Sequence, residues 1–331
     1  MDTKPILGIL LGDSAGIGPE LVAKSAVAGF LTSVCRPLII GDIRIFEHAL
    51  KLIGQTAKYH AVSAAEMDWD KGIPVLDMKD QNPDEITTAA VSADCGRAVL
   101  HQLTAACDLC KSGVIKGFTF APLNKGAMLE GGSGCESEHE FLVKAFGIKG
   151  FSGELNVLNK LSTTRVTSHI PLKEVSDHLS RERVLNAIAL AYKTVRSFGV
   201  ETPRIAVAAL NPHAGDSGHC GREEIDIIAP AVKEAREKGY GAEGPIPADI
   251  IFIKAFAGEF DSVVTMYHDQ GQIAMKLKGF EWGITVAGGM PYAITTPAHG
   301  TAFDIAGKGI AKTSAFESAV KLAVQMTRTN A

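Results

Sequence analysis

Three histidines in this chain each close a run of β-type residues. The runs read Val166-Thr167-Ser168-His169, Ala206-Val207-Ala208-Ala209-Leu210-Asn211-Pro212-His213 and Val263-Val264-Thr265-Met266-Tyr267-His268. In open α/β sheets, ligands bind outside the carboxyl ends of the strands. Three imidazoles delivered to three such ends would make a divalent-metal site with room left for a substrate. Each histidine taken alone can equally be the first polar residue of a loop. The third run continues into Asp269-Gln270-Gly271, with Lys276 beyond it. These supply a carboxylate to orient a metal ligand and a cation beside it. Asp249, in Pro247-Ala248-Asp249-Ile250, is a further candidate, or simply a polar residue that begins a strand. His219 lies deeper in its loop and reads as solvated.

Two other segments have the composition of ligand loops. Gly12-Asp13-Ser14-Ala15-Gly16-Ile17-Gly18-Pro19-Glu20 follows the first strand-like run. Pro19 suits the first turn of a helix, where a missing N–H costs nothing. The spacing differs from the dinucleotide fingerprint Gly-x-Gly-x-x-Gly, so a nucleotide contact and a structural turn both stay open. His299-Gly300-Thr301-Ala302-Phe303-Asp304-Ile305-Ala306-Gly307-Lys308-Gly309 is a compact loop able to fold over a ligand.

The frame around these residues is that of a globular protein. The chain has 331 residues, enough for two domains, and is 46% hydrophobic and 21% charged, with a net charge of −4. Acidic and basic residues are mixed, which argues against a nucleic-acid surface or a polybasic membrane anchor. Ile6–Leu11 is short and closes at Asp13, so it reads as a buried strand rather than a signal peptide. No stretch reaches the ~18 apolar residues of a membrane span. A cytoplasmic protein is the expectation. The six cysteines show no paired framework. Cys107 and Cys110 have redox or zinc spacing, but they sit in a helical pattern with no second pair and read as structural.

Strand-like runs alternate with helical ones throughout. Ile6–Leu11, Pro37–Ile40, Val114–Phe118, Ala206–Leu210, Ile250–Ile253, Val263–Met266 and Ile284–Val286 are expected strands. Gly18–Ala28, Ile43–Ile53, Arg181–Phe198 and Glu223–Lys238 are expected helices. The alternation implies an α/β fold with a largely parallel sheet. Crossings in the glycine-rich stretch 128–135 and at 278–283 would divide the chain into a discontinuous domain, 1–130 with 283–331, and an inserted domain, 131–282. All three histidines belong to the inserted one.

Taken together, Gly12–Glu20, Asn211-Pro212-His213-Ala214-Gly215, Tyr267-His268-Asp269-Gln270-Gly271 and His299-Gly300-Thr301-Ala302 resemble the 4-hydroxythreonine-4-phosphate dehydrogenase family. The likeness runs from about residue 5 to about residue 325, in one order. The last loop also resembles the adenosine-binding loop of isocitrate and isopropylmalate dehydrogenases. The resemblance implies two α/β/α domains of that type, with the active site in the cleft between them and at a homodimer interface. It implies a divalent metal (Zn, Mg, Mn or Co) on His169, His213 and His268, with Asp249, Asp269 and Lys276 as the acid–base residues beside it. It implies a cofactor on Gly300, Thr301, Asp304 and Gly307. An acid at position 304 would repel a 2′-phosphate, so NAD is expected in preference to NADP.

The departures concern the substrate's phosphate end. Where the family has Gly-His-Thr-Glu, this chain has Ser137-Glu138-His139-Glu140. Thr285 stands for a substrate-binding asparagine, and Ile294 for a substrate-binding arginine. Losing a charge-assisted phosphate contact costs about 1.5–3 kcal/mol, and Glu138 would add repulsion. The expectation is therefore a divergent member. Glu138, His139, Lys276, Thr285 and Ile294 would contact an unphosphorylated hydroxy acid or diol. Alternative substrates are 4-hydroxythreonine 4-phosphate itself, threonate or erythronate phosphates, and an aromatic cis-dihydrodiol carboxylate. The metal would acidify the hydroxyl, Lys276 or an aspartate-linked water would take the proton, and nicotinamide would accept the hydride, with loss of CO₂ from any β-keto acid formed. Three histidines at strand ends would also suit a metal-dependent hydrolase or aldolase.

Overall fold

The computed structural model describes residues 4–63 and 67–329. The chain divides into two compact units, 1–148 with 290–331 and 149–289. The first stretch runs β1 (Ile6–Leu10), α1 (Gly18–Val27), α2 (Phe30–Val34), β2 (Arg36–Gly41), α3 (Ile43–Leu52), β3 (Tyr59–Val62), β4 (Ile73–Asp77), α4 (Ala93–Lys111), β5 (Gly117–Phe120), α5 (Lys125–Glu130) and α6 (Glu138–Phe146). The second unit follows with β6 (Gly153–Leu158), β7 (Leu161–Arg165), α7 (Arg181–Ser197), β8 (Ile205–Ala208), α8 (Ala229–Glu237), β9 (Ala242–Ile246), α9 (Ala248–Phe256), β10 (Ser262–Thr265), α10 (His268–Gly279) and β11 (Ile284–Gly288). The chain then returns to the first unit with β12 (Ala293–Pro297) and α11 (Ser314–Thr329). The first crossing falls after α6 rather than within the glycine-rich stretch, because α5 and α6 both pack on α4.

In the first unit the strand order is β3-β4-β2-β1-β5-β12, and every pair is parallel. The second unit has the order β11-β6-β7-β10-β8-β9. There β11-β6-β7 are antiparallel, and β7-β10-β8-β9 are parallel. The central parallel strands β1, β2, β5, β8 and β10 are buried on both faces, as runs without polar–apolar alternation predict, while β3 and β9 at the ends of the order are partly exposed. Ile205 and Val207 of β8, with Val264 of β10, join the core formed with α7 and α8. Ala206, Ala208 and Val263 join the core formed with α9 and α10. The second unit is thus a sheet with a helical layer on each face.

One expected strand is a helix. Residues 250–253 lie inside α9, where Ile251, Phe252 and Ala255 are buried while Ile250 and Ile253 are exposed. A four-residue apolar run does not distinguish strand from helix by periodicity. Pro247 at the N-cap and Asp249 in the first turn mark a helix start instead. Expected helix 223–238 opens with a π-helical turn, Glu224–Ile228, before α8. Cys107 and Cys110 are buried in α4 as free thiols, and burial pushes the Cys107 pKa up to about 12. Among the described residues no helix is long and apolar enough to cross a membrane.

Asp13, just past β1, is buried. Its Oδ1 accepts the Ala15 N–H at 2.9 Å, and its Oδ2 has no hydrogen-bond partner. Burial pushes its pKa up to about 6, against the opposing pull of that hydrogen bond. A carboxyl whose folded pKa lies above its unfolded value binds more protons in the native state. Its contribution to stability therefore falls as pH rises from about 4 to about 6, by on the order of 3 kcal/mol. Asp13→Asn should remove that slope. Urea unfolding of both proteins between pH 4 and 7 checks it, and a constant difference across the window would refute the assignment.

Candidate active site

The second unit brings the exits of three strands together by pairing. β10 lies between β7 and β8, parallel to both, with Thr265 opposite Arg165 and Val264 opposite Val207. The carboxyl ends of three adjacent strands therefore finish on one edge, and adjacent strands lie about 4.8 Å apart. Beyond β7 the pairing continues: Val166 N–H donates to Thr265 O (2.9 Å) and Thr167 N–H to Met266 O (3.1 Å). This brings His169 beside His268, with ring centroids 5.7 Å apart. Gln270 ties the other side. Its Nε2 donates to Ala209 O at 2.7 Å, and its Oε1 accepts from Met266 N at 2.7 Å.

His268 begins α10, and its Nδ1 lies 2.7 Å from Asp269 Oδ1. Such a carboxylate fixes the ring and leaves Nε2 for a metal. His268, Gln272 and Lys276 recur at four-residue intervals, so they share one face of α10. Gln272 on that face hydrogen-bonds Asn156 of β6. Asp269 and Lys276 are exposed, and so is Asp249 in the first turn of α9.

His213 stands in an unusual backbone. Five successive residues, His213 (φ 53°, ψ 31°) to Ser217 (56°, 23°), adopt left-handed conformations, four of them non-glycine. Each such residue costs roughly 1–2 kcal/mol, and strain of this kind persists where the surroundings over-determine it. Glu224 does so here. It is 2% exposed. Its Oε1 accepts from Leu210 N and Asn211 N, both at 2.8 Å, and its Oε2 from Asn211 Nδ2 at 3.0 Å. A Cβ on Gly215 would lie 2.7 Å from Glu224 Oε2, so the turn closes around this carboxylate only with glycine there. Among the described residues no three His, Cys, Asp or Glu side chains gather closely enough to hold a metal ion. His169 and His268 are paired, and His213 is carried by the strained turn at the adjacent strand end.

Thr285 of β11 sits opposite Asn156, whose Nδ2 donates to its Oγ1 at 3.2 Å. Arg165, at the end of β7, donates to Asn156 Oδ1 (2.8 Å) and Ser168 Oγ (3.0 Å), and pairs with Glu154 at 2.7 Å. Thr285 therefore belongs to a polar cluster centred on an arginine. No sequence spacing assigns roles to Glu224, Arg165 and Asn156, because most of their partners come from other segments of the chain.

The remaining candidates lie in the first unit. Ser137 caps α6 by accepting the Glu140 N–H, and Lys125 Nζ lies 3.7 Å from Glu138 Oε2. Glu138 and His139 are half-buried at this helix start. Ile294 is fully buried in β12 opposite Phe118, so it is a core residue rather than a substrate contact. In the stretch 299–309, Thr301 is buried and its carbonyl accepts the Ile17 N–H, while Gly300, Asp304 and Gly307 are exposed. Lys308 Nζ donates to Asp304 O at 2.7 Å.

Glu224→Ala leaves two backbone N–H groups unpaired under a strained turn. We expect a stability loss of roughly 3 kcal/mol or more, and a smaller one for Glu224→Gln, whose amide oxygen still accepts. Chemical denaturation of the two variants measures this. An alanine variant as stable as the parent would remove Glu224 as the anchor.

Comparison with known proteins identifies the family. Residues 33–323 match the family model described as pyridoxal phosphate biosynthetic protein PdxA. A Pseudomonas aeruginosa protein provisionally named 4-hydroxythreonine-4-phosphate dehydrogenase 2 is 45% identical over 328 residues, 98% of this chain and 97% of that protein. The D-threonate 4-phosphate dehydrogenase of Cupriavidus necator is 39% identical over 314 residues, 94% of this chain and 93% of that protein. The crystal structure of 4-hydroxythreonine-4-phosphate dehydrogenase from Klebsiella pneumoniae matches with a TM-score of 0.87 at 34% identity, covering 98% of each chain. The chain belongs to the PdxA family and is a dehydrogenase acting on a CH–OH group.

Proposed function

We propose that this protein oxidises a secondary hydroxyl of a phosphorylated hydroxy acid, of the 4-hydroxythreonine or threonate 4-phosphate kind named for its relatives, using NAD and a divalent metal. The observation that supports the reading is the parallel pairing of β7, β10 and β8, whose carboxyl ends lead on to His169, His268 and His213, with the His169 and His268 rings 5.7 Å apart. The expectation of an unphosphorylated substrate loses its support. Its two main arguments were the lost arginine and the added carboxylate. Ile294 is sealed in the sheet, and Glu138 has a cation, Lys125, 3.7 Å from its Oε2.

The donor set suits a divalent cation. The three imidazoles are neutral ligands, and Asp269 already orients the His268 ring. The residues that would hold the ion are His169, His213 and His268. When bound, it supplies Lewis-acid polarisation of the substrate hydroxyl. NAD supplies the acceptor for the hydride that leaves the carbinol carbon. A water linked to Asp249 or Asp269, or Lys276 on the His268 face of α10 in its neutral amine form, would take the hydroxyl proton. Gly300, Thr301, Asp304 and Gly307 take the adenosine side of NAD, and Asp304 disfavours a 2′-phosphate. Where oxidation yields a β-keto acid, loss of CO₂ follows.

The working species in this reading is a homodimer. Ile253 of α9 and Ile273 and Leu277 of α10 are 68%, 58% and 85% exposed, on helices that cover one face of the second unit. Large apolar side chains grouped on one face mark an interaction surface. Leu277→Glu should shift the protein toward monomer by sedimentation velocity. An unchanged sedimentation coefficient would exclude this face as the interface.

NADH formation at 340 nm tests the reaction. The panel is 4-phosphohydroxythreonine, D-threonate 4-phosphate, their unphosphorylated forms and a cyclic cis-dihydrodiol, each with Mg²⁺, Mn²⁺ or Zn²⁺ and with chelator. Phosphorylated substrates should lead, chelation should stop turnover, and NAD should outperform NADP. His213→Ala should lose activity by at least about 100-fold while retaining NADH binding. Preferential oxidation of an unphosphorylated compound, or a fully active His213→Ala protein, would overturn the proposal.

A further inference from the structure

The stretch 299–311 is fastened to α1 at both ends. At one end the Ile17 N–H donates to Thr301 O at 3.1 Å. A Cβ on Gly16 would lie 2.8 Å from Thr301 Cβ, so the two backbones meet there as closely as glycine permits. At the other end the Ala311 N–H donates to Glu20 Oε1 at 2.7 Å. Lys24 Nζ donates to Gly309 O (2.9 Å) and Ala311 O (2.7 Å), and pairs with Glu20 Oε1 at 2.8 Å. Glu20 is 2% exposed, and its Oε2 has no hydrogen-bond partner. Glu20 lines a small cavity of about 50 Å³, together with Ser14, His48, Thr88 and Gly307.

This arrangement is costly unless it holds something. A buried carboxylate is tolerated when paired, and here one lysine pairs with it. The same lysine satisfies two carbonyls of an irregular segment that has little pairing of its own. A loop fixed at both ends loses less freedom when a ligand settles on it, and binding gains by that amount.

From these contacts we infer that Glu20 and Lys24 are positioning residues for cofactor binding. They hold the 309–311 end of the loop so that Gly300, Thr301, Asp304 and Gly307 meet the adenosine part of NAD in a preset shape. The inference rests on the reading that this loop carries the cofactor.

The test uses the full chain. NADH affinity is read by fluorescence titration, and loop order by amide hydrogen exchange, in Lys24→Met, Glu20→Ala, Lys24→Arg and Glu20→Gln. In the Met and Ala variants the Kd for NADH should rise about tenfold to a hundredfold, with faster exchange confined to 301–311. The Arg and Gln variants keep a donor and an acceptor, and should stay within about threefold of the parent. Should Glu20→Ala fail to fold, Lys24→Met carries the test, because its side chain reaches solvent. Unchanged loop exchange, or a loosened loop with unchanged Kd, overturns the inference. The cofactor reading is judged separately on the parent protein. If NAD binds without slowing exchange across 299–311, that reading fails even where the variants loosen the loop.

Discussion

The parallel pairing of β7, β10 and β8 is the constraint on which the candidate site depends. These strands form the middle of a sheet covered by helices on both faces, and β8 and β10 bury alternate side chains in two separate cores. Inside β7 and β10 the buried polar side chains are small hydroxyls such as Ser162, Ser262, Thr164 and Thr265, each hydrogen-bonded, since an unpaired buried polar group costs more than packing returns. Chemistry that needs free charged or ligating groups is excluded from them. It is displaced to the strand ends, where the chain leaves the hydrogen-bonded ladder. Because β7 and β10 finish level, His169 and His268 become neighbours despite their wide separation in sequence. Gln270 reinforces the arrangement by joining the β8 and β10 exits.

The two loops with the strongest functional claims are held by the same device. Glu224 accepts backbone N–H groups from the His213 loop, and Glu20 accepts one from the 299–311 stretch. Each glutamate is 2% exposed. Each is fixed near the start of the helical segment that follows its own loop or strand. A buried carboxylate is a strong acceptor in a low-dielectric setting, and its geometry is demanding. It can hold a loop in a conformation the loop would not choose, as the left-handed turn of His213 to Ser217 shows. Rigid strands supply position, and buried acids supply loop shape.

The departures from the family pattern read differently once packing is known. Glu138 reads in sequence as a charge opposed to phosphate, yet a cation, Lys125, stands 3.7 Å from it at the start of α6. Ile294 looked like a remodelled pocket wall, yet it faces the core opposite Phe118. Thr285 joins the cluster of Asn156 and Arg165. An altered residue type indicates an altered pocket only when its side chain reaches that pocket.

Much was legible in the chain alone. The continuous apolar runs ending in Thr265 and Ala208 required doubly buried parallel strands. Polar motifs directly after them required loops at the carboxyl edge, and the motif set identified the family. These are local properties, written in adjacent residues and in the period of their hydrophobicity. What only the tertiary structure decided was nonlocal. It settled residues 250–253 as a helix, where burial of Ile251, Phe252 and Ala255 agrees with the start signals of Pro247 and Asp249 and not with a strand. It set His169 beside His268 through strand order, gave Glu224 and Glu20 their loops, and took Ile294 out of reach. Strand order and the partners of buried charges depend on contacts between segments far apart in sequence, and no local pattern records those contacts.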